Sequence, residues 1–171
     1  MEIGKIEKAC KQVYAVGLAS LLYIACFDEI DTIPAPDADT HTISTDLTMR
    51  AADATATPPE EAGTFSAWKY SQKDQTWESE QDEESKMWTT TVQVFVPGVT
   101  SEKSHVLNNL GTEAAVVITK DKAGKLRIVG DTDTPCDITV KEQLTPKNGY
   151  IVTIKWMSSY SPYFYTGAIV E

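Results

Sequence analysis

Histidine, cysteine and positive charge are all scarce in this chain, and each scarcity removes a class of function. The 171 residues carry 15 Lys and Arg against 25 Asp and Glu, a formal net charge of -10. Binding nucleic acid through counterion release needs a basic surface, and no basic cluster interrupts the acidic balance, so ordinary DNA or RNA binding is not expected. Only two histidines occur, His41 in an Asp- and Pro-containing stretch and His105 in a candidate helix. Neither accompanies a Ser or Cys in a strand–turn–helix nucleophile context, and no G-x-S-x-G is present. The nine glycines stand singly, so no glycine-rich loop is available to cradle phosphate. Three cysteines, Cys10, Cys26 and Cys136, are odd in number and far apart, which argues for free thiols and against a disulfide framework or a zinc site. No apolar run reaches the ~20 residues that span a bilayer, and no membrane partner is expected.

What is present is a core-forming chain. Hydrophobic residues make up 42%, with four Trp, seven Tyr and four Phe, too many aromatics for a disordered polypeptide and enough for one domain of this size. The dominant period is two. Ile43, Thr45, Leu47 and Met49 alternate with polar neighbours, as do Trp88–Val96, Ile138–Leu144 and Tyr150–Trp156. Side chains in a strand switch faces at every residue, so each segment reads as a half-buried strand. Ala114–Thr119 is continuously apolar and predicts a strand covered on both faces. Asp121–Lys125, with Gly124, and Asn148-Gly149 are hairpin signals that would join the last four strands into a meander. Ser101 to Leu110 is the one helical stretch, with Val106, Leu107 and Leu110 on one face and Gly111 as the stop. The fold class expected is mostly β, an antiparallel β-sandwich or barrel with one short helix.

Organisation along the chain is simple. Residues 1–36 read as an N-terminal strand or arm and a loop, with a short helical or irregular lead-in over 2–12 and a buried strand, straight or bent at Gly17, within Val13–Phe27. Residues 37–171 read as a single β domain, with a mobile loop over 51–64 and an acidic hairpin around 74–86. A second interpretation of the N-terminus exists. Lys5, Lys8 and Lys11 precede an apolar run that ends at Cys26, as in a bacterial lipoprotein signal, although Glu2, Glu7 and Tyr23 depart from that pattern. The corresponding function would be an exported lipoprotein anchored at Cys26 that binds a glycan or protein.

Candidate functional residues fall into two sets. Glu78, Glu80, Asp82, Glu83 and Glu84 form the densest charge in the chain. Paired carboxylates can hydrolyse glycosides, but alternation with polar residues at a hairpin tip predicts a solvated or lumen-facing acidic face. Trp68, Tyr70 and Trp77, together with Tyr163, Phe164 and Tyr165, are candidate core or subunit-interface aromatics. The acidic spacings Asp37/Asp39 and Asp131/Asp133/Asp137 lack a full calcium-binding register, so they read as turn residues and no metal or cofactor is expected.

The order of several segments carries a resemblance. These are DADTHTISTDLTM (Asp37–Met49), FVPG (Phe95–Gly98), VLNNL (Val106–Leu110), VVITKDKAGKLRIVG (Val116–Gly130), KNGYIVTI (Lys147–Ile154) and SPYFYTG (Ser161–Gly167). In that order they resemble small tail-tube-like virion structural proteins of tailed bacteriophages and prophages of Bacteroidetes. The resemblance implies a β-sandwich without enzymatic activity, assembled in the host cytoplasm into the virion. Copies would join side by side into a homo-oligomeric ring, six-fold or twelve-fold, as part of a tail tube or of a neck or tail-barrel ring. Its partners would be its own copies and neighbouring tail or neck proteins, with DNA passing through transiently and without sequence preference.

Overall fold

The computed structural model describes residues 18–71 and 74–171. Cys10, the lead-in over 2–12 and the Gly17 bend fall outside the described residues. The strands are β1 (Leu18–Cys26), β2 (Ile30–Thr32), β3 (Thr42–Ile43), β4 (Thr48–Met49), β5 (Ser66–Lys69), β6 (Thr76–Gln81), β7 (Trp88–Pro97), β8 (Ala115–Asp121), β9 (Leu126–Val129), β10 (Asp137–Gln143), β11 (Gly149–Ser158) and β12 (Tyr163–Tyr165), and the helix is α1 (Ser101–Leu110). They build a six-stranded sheet in the order β3-β12-β9-β8-β1-β5, a four-stranded sheet in the order β10-β11-β7-β6, and a small β2-β4 pair. All pairings are antiparallel except β3 with β12. The protein is therefore mostly β, two open sheets packed as a sandwich, with one short α-helix among the described residues.

Alternation explains the packing. Along β11, Tyr150, Val152, Ile154 and Trp156 are buried while Lys155 and Met157 are exposed. The register sets Val152 between Val94 and Val140, and Ile154 between Val92 and Ile138, so one face of the four-stranded sheet is a continuous apolar layer. It meets Leu22 and Ile24 of β1, Ala115 and Val117 of β8 and Val129 of β9 in the inter-sheet core. Leu107 and Leu110 of α1 join that core, and α1 packs beside β10. The six-stranded sheet is covered on its other face as well. Tyr23, Ala25, Val116, Ile118, Ile128 and Tyr165 point away from the sandwich and are buried beneath Ile30, Ile43, Leu47 and Phe65. Two-sided burial is why Ala114–Thr119 has no polar phase.

Several expectations are corrected. The last four strands are two hairpins in different sheets, because the chain crosses from β9 to β10 through Gly130 at φ +105° and a loop whose Cys136 bridges back to Ala115. Added side-chain bulk at Gly130 would sit 3.1 Å from Cys136 Sγ and 3.2 Å from Ala115 O, so the crossing needs glycine for both space and backbone. The alternation over Ile43–Met49 is not one strand. Leu47 N donates to Tyr165 Oη at 3.3 Å, a backbone group that a ladder would have used, and the Asp46 side chain is engaged as well, its Oδ1 accepting from Ala168 N at 2.7 Å. β10 stops at Gln143, leaving Leu144 exposed, and the β10–β11 turn spans residues 144–148, with Gly149 already in β11. Thr100 caps α1 by accepting from Lys103 N at 3.3 Å, and Val106, expected on the apolar face, is exposed to solvent. β1 pairs with both β5 and β8, so no structural division falls at residues 36/37 among the described residues.

Candidate functional site

The most distinctive surface is the four-stranded sheet, which among the described residues has an open outer face and two unpaired edges. β6 and β10 are its edge strands and run in opposite directions, since every pair within the sheet is antiparallel. Antiparallel ladders alternate bonded and free residues, so the free backbone groups can be assigned. Asp82 N donates to Met87 O at 2.9 Å and Gly98 N to Asn148 O at 2.9 Å. Counting along the registers from these bonds, Trp77, Ser79 and Gln81 of β6 turn their N–H and C=O away from the sheet, as do Ile138, Val140 and Glu142 of β10. Such unsatisfied edges are pairing sites for another strand.

The outer face is largely polar and carries mixed charge, with Phe95 the exception, 8% exposed beneath Lys147. Asp137, Lys155, Thr91 and Glu78 form one row straight across it, with Glu80 and Lys141 nearby on the same face. Glu78 and Glu80 therefore share this face, as alternation along β6 requires. Asp82 does not belong with them. Its Oδ1 accepts from Ser85 N at 2.7 Å, Ser85 Oγ at 2.8 Å and Glu84 N at 3.1 Å, which ties the β6–β7 turn together. These hydrogen bonds hold its carboxyl below the usual carboxylate range. Glu83 and Glu84 are exposed in the turn itself.

The six aromatic candidates divide into three groups. Tyr70 and Tyr165 are core residues, a correction to the interface expectation. Tyr70 Oη donates to Ala19 O and burial pushes its pKa up to about 12, while Tyr165 is 2% exposed and donates to Ala168 O at 2.6 Å. Tyr163 is half-buried against the ring of His41, 4.4 Å between centroids, and His41 Nε2 lies 3.0 Å from both the carbonyl and the hydroxyl oxygen of Ser161. That histidine is thus a structural strut. Trp68 lines a cleft of about 260 Å³ between β5 and α1.

Trp77 and Phe164 form the third group, with a residue that sequence inspection missed. They flank the Arg127 guanidinium at 5.0 and 4.3 Å from its carbon to their ring centroids. The signal was available: Arg127 shares a face with Val129 on β9, so a charge occupies a position the alternation reserves for the core. Glu142 is the matching case on β10, in phase with Ile138 and Val140 yet exposed.

The remaining polar clusters are structural. Asp37 Oδ1 accepts from Asp39 N, Thr40 N and Thr40 Oγ1 within its own turn. Cys136 is buried, its Sγ donates to Val129 O at 3.2 Å, and burial pushes the thiol's pKa up, away from reactivity. Among the described residues no group of three or more His, Cys, Asp or Glu is placed to hold a metal ion. No protein-family model matches the chain, and no curated protein or solved structure matches it either.

Proposed function

We propose that this chain is a structural subunit of a phage virion, a tail-tube or neck-ring protein whose copies join side by side around a genome-delivery conduit. The observation that carries this is the four-stranded antiparallel sheet, whose two edges are open among the described residues. With an even number of strands, β6 and β10 point in opposite directions. A rotation about a ring axis then places β6 of one copy beside β10 of the next as a further antiparallel pair, with no change of polarity at the seam. A heterologous contact of this kind closes into a ring when the rotation permits.

The dimensions support a conduit. Six copies of a four-stranded sheet supply 24 strands. At strand spacing of about 4.8 Å and a tilt of about 35°, the resulting wall has a backbone diameter of about 45 Å. Side chains narrow that opening but leave room for a duplex about 20 Å across. The largely polar outer face would line the lumen, and its acidic residues would keep phosphates from sticking.

The lipoprotein alternative is disfavoured by β1. Maturation at Cys26 would remove Leu18–Ala25, the strand that joins β5 to β8.

Mass photometry across a concentration series tests the assembly. Species at six or twelve copies of the 18.8 kDa chain, from about 110 kDa upward, are expected; a monomer at every concentration and within particles would overturn the proposal. The lumen assignment makes a separate prediction. Replacing Glu80 with Lys should leave ring formation intact and slow DNA release from particles several-fold, an effect that shrinks as salt is raised. Asp82 should be left alone in that experiment, because its carboxylate holds the turn. Normal release from particles that carry Glu80→Lys would overturn the lumen assignment.

A further inference from the structure

Arg127 is a cation with its faces covered and, among the described residues, no ion-pair partner at its edge. Trp77 and Phe164 stack on the guanidinium, and burial pushes its pKa down. Among the described residues no carboxylate lies within ion-pair distance of it; the ion pairs there join Arg50 to Asp28 and Glu60, and Lys147 to Asp74. The indole Nε1 of Trp77 is also without an acceptor, but the chain itself covers that atom, so the guanidinium is the group an incoming ligand meets. A planar cation held rigid by two rings and partly stripped of water is a receptor for a carboxylate.

The open edges indicate where that carboxylate comes from. β6 and β10 overlap along all six residues of β6, with faces matched, in a single register: Thr76 opposite Gln143, Glu78 opposite Lys141, Gln81 opposite Ile138. In this register Glu78 meets an opposite charge. A slip by two residues one way sets Glu80 against Asp137, like against like. Relative to the straight row Asp137–Lys155–Thr91–Glu78, the register steps each copy by four residues. Six such steps give a shear equal to the strand number and a tilt of about 35°, the range in which barrels close. The same register brings Glu142 opposite Trp77, on the face where Arg127 waits.

We propose that Arg127, clamped between Trp77 and Phe164, binds the Glu142 carboxylate of the next copy and so fixes the register in which β6 pairs with β10. This rests on the side-by-side assembly argued above. A partly desolvated charge pair is the kind of contact that selects one register over its neighbours.

Two measurements test it on the full chain. In the first, Glu142→Arg and Arg127→Glu are assayed singly and together by mass photometry. Each single change is expected to raise the concentration needed for assembly by about tenfold or more, and the double exchange to recover most of that loss. The second avoids any folding defect at Arg127. Glu80→Cys with Thr139→Cys should cross-link copies under mild oxidation, because this register brings those positions together, whereas Glu80→Cys with Asp137→Cys should not. Wild-type protein that never assembles would overturn the ring and this pairing together. Wild-type rings in which Glu142→Arg has no effect, or in which the second cysteine pair links and the first does not, would overturn the Arg127–Glu142 contact and leave the ring standing.

Discussion

A chain that begins at Cys26 should not fold. β1 lies between β5 and β8, and it is the strand through which the edge of the six-stranded sheet is attached. Leu22 is 0% and Ile24 4% exposed in the inter-sheet core, while Tyr23 and Ala25 fill the core on the opposite face. Burying each large side chain contributes about 1.5–3 kcal/mol. Losing Leu18, Leu22, Tyr23 and Ile24 therefore removes on the order of 10 kcal/mol, as much as an entire domain's margin of stability. Expressed from Cys26 onward, the protein should be insoluble or show no cooperative thermal transition. A milder variant grades the same effect: Leu22→Ala in the full chain should cost about 2–5 kcal/mol by urea denaturation. A folded, cooperative protein starting at Cys26 would show that β1 is dispensable, and would restore the lipoprotein interpretation.

β1 also shows why some of the fold was legible and some was not. Its apolar run has no alternation because both faces of the sheet are covered, and such a run is as compatible with a signal sequence as with a buried strand. What distinguishes them is the partner strands, β5 and β8, and those come from positions more than forty residues away. By contrast, β7, β10 and β11 each carry one polar and one apolar face, so their positions followed from period alone. The division of strands between two sheets did not. It depends on the crossing at Gly130, where a positive φ and a close approach to Cys136 turn the chain, and adjacent hairpins look the same in sequence whether they share a sheet or not.

The candidate site divides along the same line. Glu78 and Glu80 share a face because they sit two apart on a strand, which sequence spacing conveys. Asp82 follows them at the same spacing but lies beyond β6, where its side chain turns back onto Ser85. Charge density therefore does not separate a face from a turn. Arg127 and Glu142 went unnoticed for the opposite reason: each is a lone charge in an apolar phase, and what gives Arg127 meaning is its neighbours on other strands, Trp77 and Phe164.

Ser79→Pro is the sharpest test of edge pairing. The Ser79 N–H points outward from β6, so proline removes a donor that the isolated subunit does not use, and edge strands accept proline at such positions. Within the subunit the change forfeits only the Ser79 Oγ–Thr90 Oγ1 contact of 2.9 Å, about 1 kcal/mol. That corresponds to a fall of about 2–4 °C in Tm. At the seam it does far more, because the central bond of the β6–β10 ladder is deleted and the proline ring obstructs the approaching strand. The expected result is a folded monomer with an unchanged circular dichroism spectrum at concentrations where the wild type forms rings. Glu80→Pro is the informative contrast. Its N–H faces β7, opposite Thr89, so the same substitution one residue later should weaken the hairpin itself and lower Tm considerably more. If Ser79→Pro assembles as the wild type does, β6 is not the strand that meets the neighbour, and the sheet does not continue from one copy into the next.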